Sequence, residues 1–250
     1  MAGHNKWSKV KHVKARVDAI KGRVFSKCSH EIALAARAGG GDPSANARLR
    51  TAIDNAKAVS TPRENIERAI KKGTGELGGA AIQEVTYEGY GPAGIAFLVE
   101  AVTDNLNRAA ADFRALFSKN GGTVATPGAV SYQFDRKGQI TINAENISEE
   151  SILEAAVMAG ADDVQSDESE HVIFTQPTAL ATVASALRAA GFSLISEKFV
   201  SVPQNPSVVT ELSIAKQVLR LYELLDEYDD TINVFTNFEV ADDVLEQLDA

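Results

Sequence analysis

"GTGELGG", residues 73–79, divides this chain into two kinds of sequence. On its N-terminal side apolar residues recur every three or four positions, the period of an amphipathic helix. Beyond it they alternate or run together, as in strands. The spacing also matches the G-x-G-x-x-G fingerprint of dinucleotide-binding folds. That fingerprint must leave a strand and open a helix, whereas this one leaves a helix, so the segment reads as a glycine-rich linker. Few contacts are expected to cross it, and the residues before it should be separable from the rest.

Upstream, three helices are predicted. The first runs from Val17 through Ile20, Val24, Cys28 and Ile32 to Ala38, and Gly39, Gly40 and Gly41 stop it. The second spans about Ala45 to Ala58, entered at Asp42 and Pro43, with Leu49, Ile53 and Ala56 on one face. In "TPRENIERAIKKG", Thr61 can cap the third, Pro62 suits its first position, Glu64 can close a capping box and Gly73 ends it.

Downstream, residues 82–102 read as two strands separated by "GYGP" (89–92). A helix from Asp104 or Asn105 follows, carrying Ala109, Phe113, Leu116 and Phe117 inward, and "NGG" (120–122) ends it. "VSYQF" (130–134) alternates like a half-buried strand, and "DRKG" (135–138) reads as a turn. From Gln139 the order is strand "QITIN", helix 148–159 capped by Ser148, strands "DVQS" and "HVIFT", helix 178–190 and strand "LISEKFVSV". This βαββαβ order is the ferredoxin-like split unit, with its helices on one face of the sheet. A helix over about 210–228 and a strand "NVFTNFEV" (233–240) would complete the sheet left unfinished at 82–134. The fold class is therefore α+β: an all-helical N-terminal domain (1–79), a discontinuous middle α/β domain (80–135 plus 205–240), and a ferredoxin-like α/β domain (136–204) inserted into it. At 250 residues, 44% hydrophobic and 24% charged, the chain has room for two or three such cores.

The formal net charge of -9 conceals a dipole. Residues 1–79 hold 16 Lys or Arg against 7 Asp or Glu, and the remainder 9 against 27. A basic end on an acidic body points to a polyanionic partner for that end alone. The densest stretch is "HNKWSKVKHVKARVDAIKGRVFSK" (4–27). Lys6, Lys9, Lys11, Lys14, Arg16, Lys21, Arg23 and Lys27 are candidate phosphate contacts, His12 lies among them, and Trp7 could stack on a base or pack on the helices. Arg63, Arg68, Lys71 and Lys72 on the third helix are weaker candidates, because Glu64–Arg68 and Glu67–Lys71 pairs at four-residue spacing would make them an ordinary solvated face. A mostly Lys arm is poor in the Arg, Asn and Gln groups that read base edges. It suits structured RNA or weakly specific DNA contact.

Signatures of catalysis are missing from the sequence. It has no phosphate loop, nucleophile elbow or H-E-x-x-H pair, so no enzyme activity, small-molecule substrate or cofactor is expected. Cys28 and His30 alone are too few for zinc. The acidic runs at Asp162, Asp167 and Asp226 lack the spacing of a calcium loop and read as solvated faces, so no metal is expected either. A lone cysteine, no apolar run of membrane-spanning length and no apolar stretch after the basic N-terminus predict a cytoplasmic protein without a membrane partner.

Several long motifs, in order, carry a resemblance: "MAGHNKWSKVKH" (1–12), "AARAGGGDPSANARLRTAI" (35–53), "NIERAIKKGTGE" (65–76), "YEGYGPAG" (87–94), "TDNLNR" (103–108) and "FSKNGG" (117–122). The chain resembles the YebC/PmpR family, which includes the mitochondrial translational activator of cytochrome oxidase. The resemblance implies three domains and a transcriptional regulator that binds DNA through its basic N-terminal domain. It equally implies an alternative, a ribosome-associated translation factor that binds ribosomal RNA and relieves stalling at proline runs. Asn5, where the family usually has Ser, and "TPGAV" (126–130), in place of a common G-S-V pattern, depart from it. Two other classes remain as competitors, an enzyme with an unrecognised site and a protein-interaction adaptor whose basic arm only aids solubility.

Overall fold

The computed structural model describes residues 17–78 and 81–249, with side chains over 24–78 and 81–248. Its contacts define two compact units, one formed by Tyr132–Pro206 and the other by the described residues up to Ser131 together with those from Ser207 on. Helices α1 (Val17–Gly39), α2 (Ala47–Ala58) and α3 (Arg63–Thr74) come first. Then follow β1 (Gln83–Tyr90), β2 (Ala96–Thr103), α4 (Leu106–Lys119) and β3 (Thr123–Val124). The chain continues with β4 (Phe134–Asn143), α5 (Glu149–Ala159), β5 (Asp163–Ser166), β6 (Glu170–Thr175), α6 (Leu180–Ala189) and β7 (Leu194–Pro203). It closes with β8 (Ser207–Val209), α7 (Leu212–Asp226), β9 (Thr231–Thr236), β10 (Phe238–Val240) and α8 (Asp242–Asp249).

The three helices bury Ile32, Ala36, Leu49, Ile53, Ala56, Ile66 and Ala69 against one another. Asn46, rather than Asp42 and Pro43, starts α2. Its Oδ1 accepts from the Leu49 N–H at 3.0 Å while its Nδ2 donates to the carbonyls of Ala35 and Gly40, tying α2 to the end of α1. Thr61 does not cap α3, which begins after Pro62 without a side-chain cap. Gly73 does not end α3 either. It lies inside the helix where α1 approaches, and a Cβ there would collide with the Ala33 carbonyl and lie 2.8 Å from Ala36 Cβ. Gly75, at φ 81, is the left-handed residue that terminates the helix.

Contacts do cross the linker. Ile82 and Val102 belong to the helical core, and Ile232 packs on it. Three helices of this length expose more apolar surface than they can bury among themselves, and the neighbouring strands close the deficit.

The middle sheet has the order β3-β1-β2-β9, antiparallel throughout, so β9 completes the sheet begun at β1 as expected. β2 is buried along nearly its whole length, as an interior strand must be. Phe97, Phe113 and Phe117 fill the core beneath it, with the Phe97 and Phe117 rings edge to face at 5.9 Å. The predicted strand at 233–240 is two strands. Asn237 breaks it, its Oδ1 accepting from the Ala96 N–H at 2.9 Å, and β10 then pairs in parallel with β8.

Glu88 on β1 is 6% exposed, and its carboxylate faces the loop between β3 and β4. It accepts backbone N–H bonds from Gly128 (2.7 Å), Val130 (2.6 Å) and Ser131 (2.9 Å). Burial alone would raise its pKa, but the three donors outweigh that and hold it below the usual carboxylate range.

Residues 130–138 differ from the sequence reading. Ser131–Gln133 is a single 3-10 turn, and β4 runs straight through "DRKG". Gly138 serves close packing: a Cβ would strike Thr175 Oγ1 and lie 2.9 Å from Leu180 Cβ. The unit that follows has strand order β5-β6-β4-β7, all antiparallel, which is the ferredoxin-like arrangement inserted between β3 and β8. Ile140, Ile142 and Ile173 meet Ile152, Ala156, Val183 and Leu187 of the two helices. Ser148 caps α5 as predicted, its Oγ accepting from the Ser151 N–H at 3.2 Å. The first and last strands of the insertion pair along their length, with Phe134 opposite Pro203.

Candidate nucleic-acid interface

Of the predicted basic set, Lys6, Trp7, Lys9, Lys11, His12, Lys14 and Arg16 lie outside the described residues. Lys21 and Arg23 lie on α1, where the backbone alone is described. Lys27, further along α1, is half-buried, and its Nζ donates to Asp226 Oδ1 at the end of α7. That pairing makes Lys27 a tie between α1 and the α/β segment rather than a free cation.

On α3, Arg63 binds Glu67 at 2.7 Å, the pairing opposite in sense to those the sequence suggests. Lys72 Nζ lies 3.8 Å from Asp104 Oδ2. Arg68 and Lys71 are exposed and have no acidic partner among the described residues. Two exposed arginines that the sequence reading does not select share this property, Arg37 in the last turn of α1 and Arg50 on α2. Arg50 donates to the Pro43 carbonyl at 3.3 Å. No local signal separates them from paired cations such as Arg48, which bridges Glu31 and Glu84.

Helix polarity further separates α3 from the arm. Lys71 and Lys72 occupy the last turn of α3 and Arg37 that of α1, where cations compensate the negative end of the helix dipole. Phosphates favour the opposite end, where N–H groups are free. Residues 17–78 hold 11 Lys or Arg against 7 Asp or Glu, whereas residues 1–16 hold five cations and no carboxylate. The uncompensated charge is therefore concentrated toward the N-terminus.

The acidic run at Asp226–Asp230 is not merely a solvated face. Arg108 Nη2 binds the buried Asp230 at 2.9 Å and Asp104 at 3.2 Å, while the Tyr228 hydroxyl donates to Asp112 at 2.7 Å. Hydrogen bonding to Asp230 and its charge raise the Arg108 pKa; burial and the bond to Asp112 raise that of Tyr228. His30 on α1 lies near this group, and its Nδ1 is buried without a hydrogen-bond partner among the described residues. Burial, with Lys72 adding to it, holds His30 below its ordinary pKa against the opposing pull of Asp230, Asp229 and Asp104. Burial, with the charge of Glu31 adding to it, pushes the Cys28 thiol up, so it is not an activated nucleophile. Among the described residues no group of three or more His, Cys, Asp or Glu is placed to hold a metal, and no helix is long and apolar enough to cross a membrane.

Residues 82–238 match a family model described as the TACO1/YebC second and third domain, and residues 5–76 match the TACO1/YebC protein N-terminal domain. The chain belongs to the TACO1/YebC family. It is 62% identical to a "Probable transcriptional regulatory protein" of Akkermansia muciniphila, over 99% of this chain and 100% of that one. A protein of the same name from Opitutus terrae is 48% identical, over 98% and 99% of the two chains. The crystal structure of a conserved hypothetical protein from Aquifex aeolicus superposes with a TM-score of 0.86 at 45% identity, covering 92% of this chain and 94% of that one. The fold of this TACO1/YebC protein is thus also known from a relative's crystal.

The half-buried His30 gives this TACO1/YebC chain a pH dependence with a definite sign. A histidine whose folded-state pKa is depressed leaves stability intact above its unfolded value of about 6.5, and stability is lost as pH falls through the lower folded value. Thermal melts at pH 7.5 and pH 5.5 should show a drop in the wild type that is visibly smaller in His30→Gln. Equal drops would place the titration elsewhere.

Proposed function

We propose that this chain is a non-enzymatic, nucleic-acid-binding regulator of gene expression that works in the cytoplasm, with its basic N-terminal domain as the binding element. The observation that carries the reading is the uneven charge. The excess cations crowd residues 6–23, while Lys27 and Lys72 are already engaged by Asp226 and Asp104. Lys6, Lys9, Lys11, Lys14, Arg16, Lys21 and Arg23 contact phosphates, His12 sits among them, and Trp7 stacks on a base or sugar. Arg68 and Lys71 extend the same field, and Arg63 contributes when Glu67 releases it. The regulatory names of the relatives fit this role. With domains at 1–79, 80–135 plus 205–240, and 136–204, the tasks divide: the first domain binds, and the acidic remainder orients it.

The salt dependence of binding tests the mechanism. With about seven phosphates neutralised, log K should fall against log[salt] with a slope near -6 on duplex DNA and near -5 on single strands. A flat slope on both would sink phosphate contact.

A second reading has its own support. Lysine-rich contact reads little sequence, which favours ribosomal RNA on a ribosome-associated translation factor, including one that relieves stalling at proline runs. Polysome fractionation beside chromatin crosslinking of the same tagged protein separates the two.

A further inference from the structure

The ferredoxin-like unit presents an apolar surface that its own core does not use. Helix α5 buries Ile152 and Ala156 on one side, yet Leu153, Val157 and Met158 on the other are 47%, 64% and 83% exposed. Beside them a groove of about 420 Å3 opens between α5 and α6, floored by Ala155, Ala159, Ala186 and Ala190 and closed by Phe192 and Met158. Alanines keep the floor low, so an incoming side chain can reach between the helices. A solvated helix face would carry charge at these positions.

Charge decides the occupant. Glu154 lines the groove, and Glu149 and Glu150 precede it on the same helix, none with a cationic partner among the described residues. Residues 132–206 hold 11 Asp or Glu against 4 Lys or Arg. Two of those four are already taken, Lys137 by Asp162 and Arg188 by Glu197. A second copy of this surface would bring like charges together. We infer that the α5–α6 groove and the exposed face of α5 beside it dock a cationic amphipathic helix of a protein partner, its aliphatic residues seated on Val157 of that face, on Met158 and on the alanine floor, and its lysines or arginines on Glu150 and Glu154. This site uses no residue of the basic arm and gives the acidic region of the chain a binding role of its own.

The full-length chain is titrated into a labelled Leu/Lys peptide with leucines at i, i+3, i+4 and i+7, into a scrambled peptide of equal composition and into a Leu/Glu peptide, read by fluorescence anisotropy. The wild type should bind the amphipathic cationic peptide about tenfold or more tightly than either control. Val157→Ser with Met158→Ser leaves every charge in place and should weaken binding about tenfold, with an unchanged melting temperature because both positions are exposed. Glu150→Gln with Glu154→Gln should weaken it severalfold and flatten its salt dependence. Equal affinity for the scrambled or acidic peptide overturns the inference, as does an unchanged affinity in the Val157/Met158 variant. Concentration-dependent dimers in sedimentation that the same variant abolishes would assign the groove to a second copy and overturn it equally.

Discussion

Replacing Lys9, Lys11 and Lys14 together with Glu should abolish binding to duplex DNA and to structured RNA alike. Each substitution removes a phosphate contact and its counterion release, then adds a repelled carboxylate, so one short segment changes by six units of charge. The expected loss at 0.1 M salt is about a hundredfold or more, read by fluorescence anisotropy. Circular dichroism and the melting temperature should hardly move, because lysines are seldom part of a core. Arg68→Glu with Lys71→Glu is the informative contrast. Lys71 sits in the last turn of α3 and Arg68 about one turn before it, both away from the free N–H groups at the helix start, and their loss should cost only a few fold. If the two variants lose equally, the field of the whole helical segment, not the arm, does the binding. The wild type should also discriminate weakly between a candidate promoter and shuffled DNA. A preference of about 10³-fold or more would instead establish specific operator recognition.

Removing the Glu88 carboxylate should cost the fold heavily. Glu88→Ala leaves the N–H groups of Gly128, Val130 and Ser131 without their acceptor, and Val130 is fully buried where water cannot replace it. An orphaned buried donor costs about 1–3 kcal/mol, and bonds to a charged acceptor lie at the upper end. Partial access of water to Gly128 and Ser131 reduces the sum, so the expected loss is about 3 kcal/mol, seen as a lower urea midpoint with little change in slope. Glu88→Gln keeps the shape and one acceptor oxygen and should lose about half as much. Because the folded-state pKa is depressed, the latch contributes stability above the unfolded value of about 4.3 and is lost only as pH falls below it. This window lies well below that of His30, so the two titrations are separable in one pH series. The latch also explains why "TPGAV" can depart from the family pattern: Glu88 reads backbone amides there, not side chains.

How much is legible in the sequence follows from the range over which each signal acts. The βαββαβ unit is readable because its strand and helix periods differ and Ser148 caps locally. The helical segment is readable for the same reason, down to Gly39–Gly41 as a stop. Gly73 and Gly138 mislead because a glycine that ends an element and one that admits a neighbour look identical in sequence. Ala33 lies 40 residues before Gly73, and Thr175 lies 37 after Gly138. "DRKG" carries turn composition, yet pairing with β7 on one side and β6 at Gly138 on the other holds it extended. At the candidate interface, the charge excess is plain in the chain, but which cations are spoken for is not. Lys27 and Asp226 are 199 positions apart, and no spacing rule reaches that far.

The pairing of Phe134 with Pro203 at the mouth of the insertion bears on how the polypeptide can assemble as it is made. β2 leaves the ribosome with one edge waiting for β9, which is synthesised some 130 residues later. Left as coil, the intervening residues would impose a large closure entropy on that meeting. Once the inserted unit has folded on its own local contacts, its entry and exit lie on adjacent strands, about 5 Å apart across the ladder, and the waiting edge needs only a short reach. Translation order and loop geometry thus make the inserted unit a clasp: destabilising it should delay maturation of the sheet on either side of it in the gene, even though that sheet contains none of the altered residues.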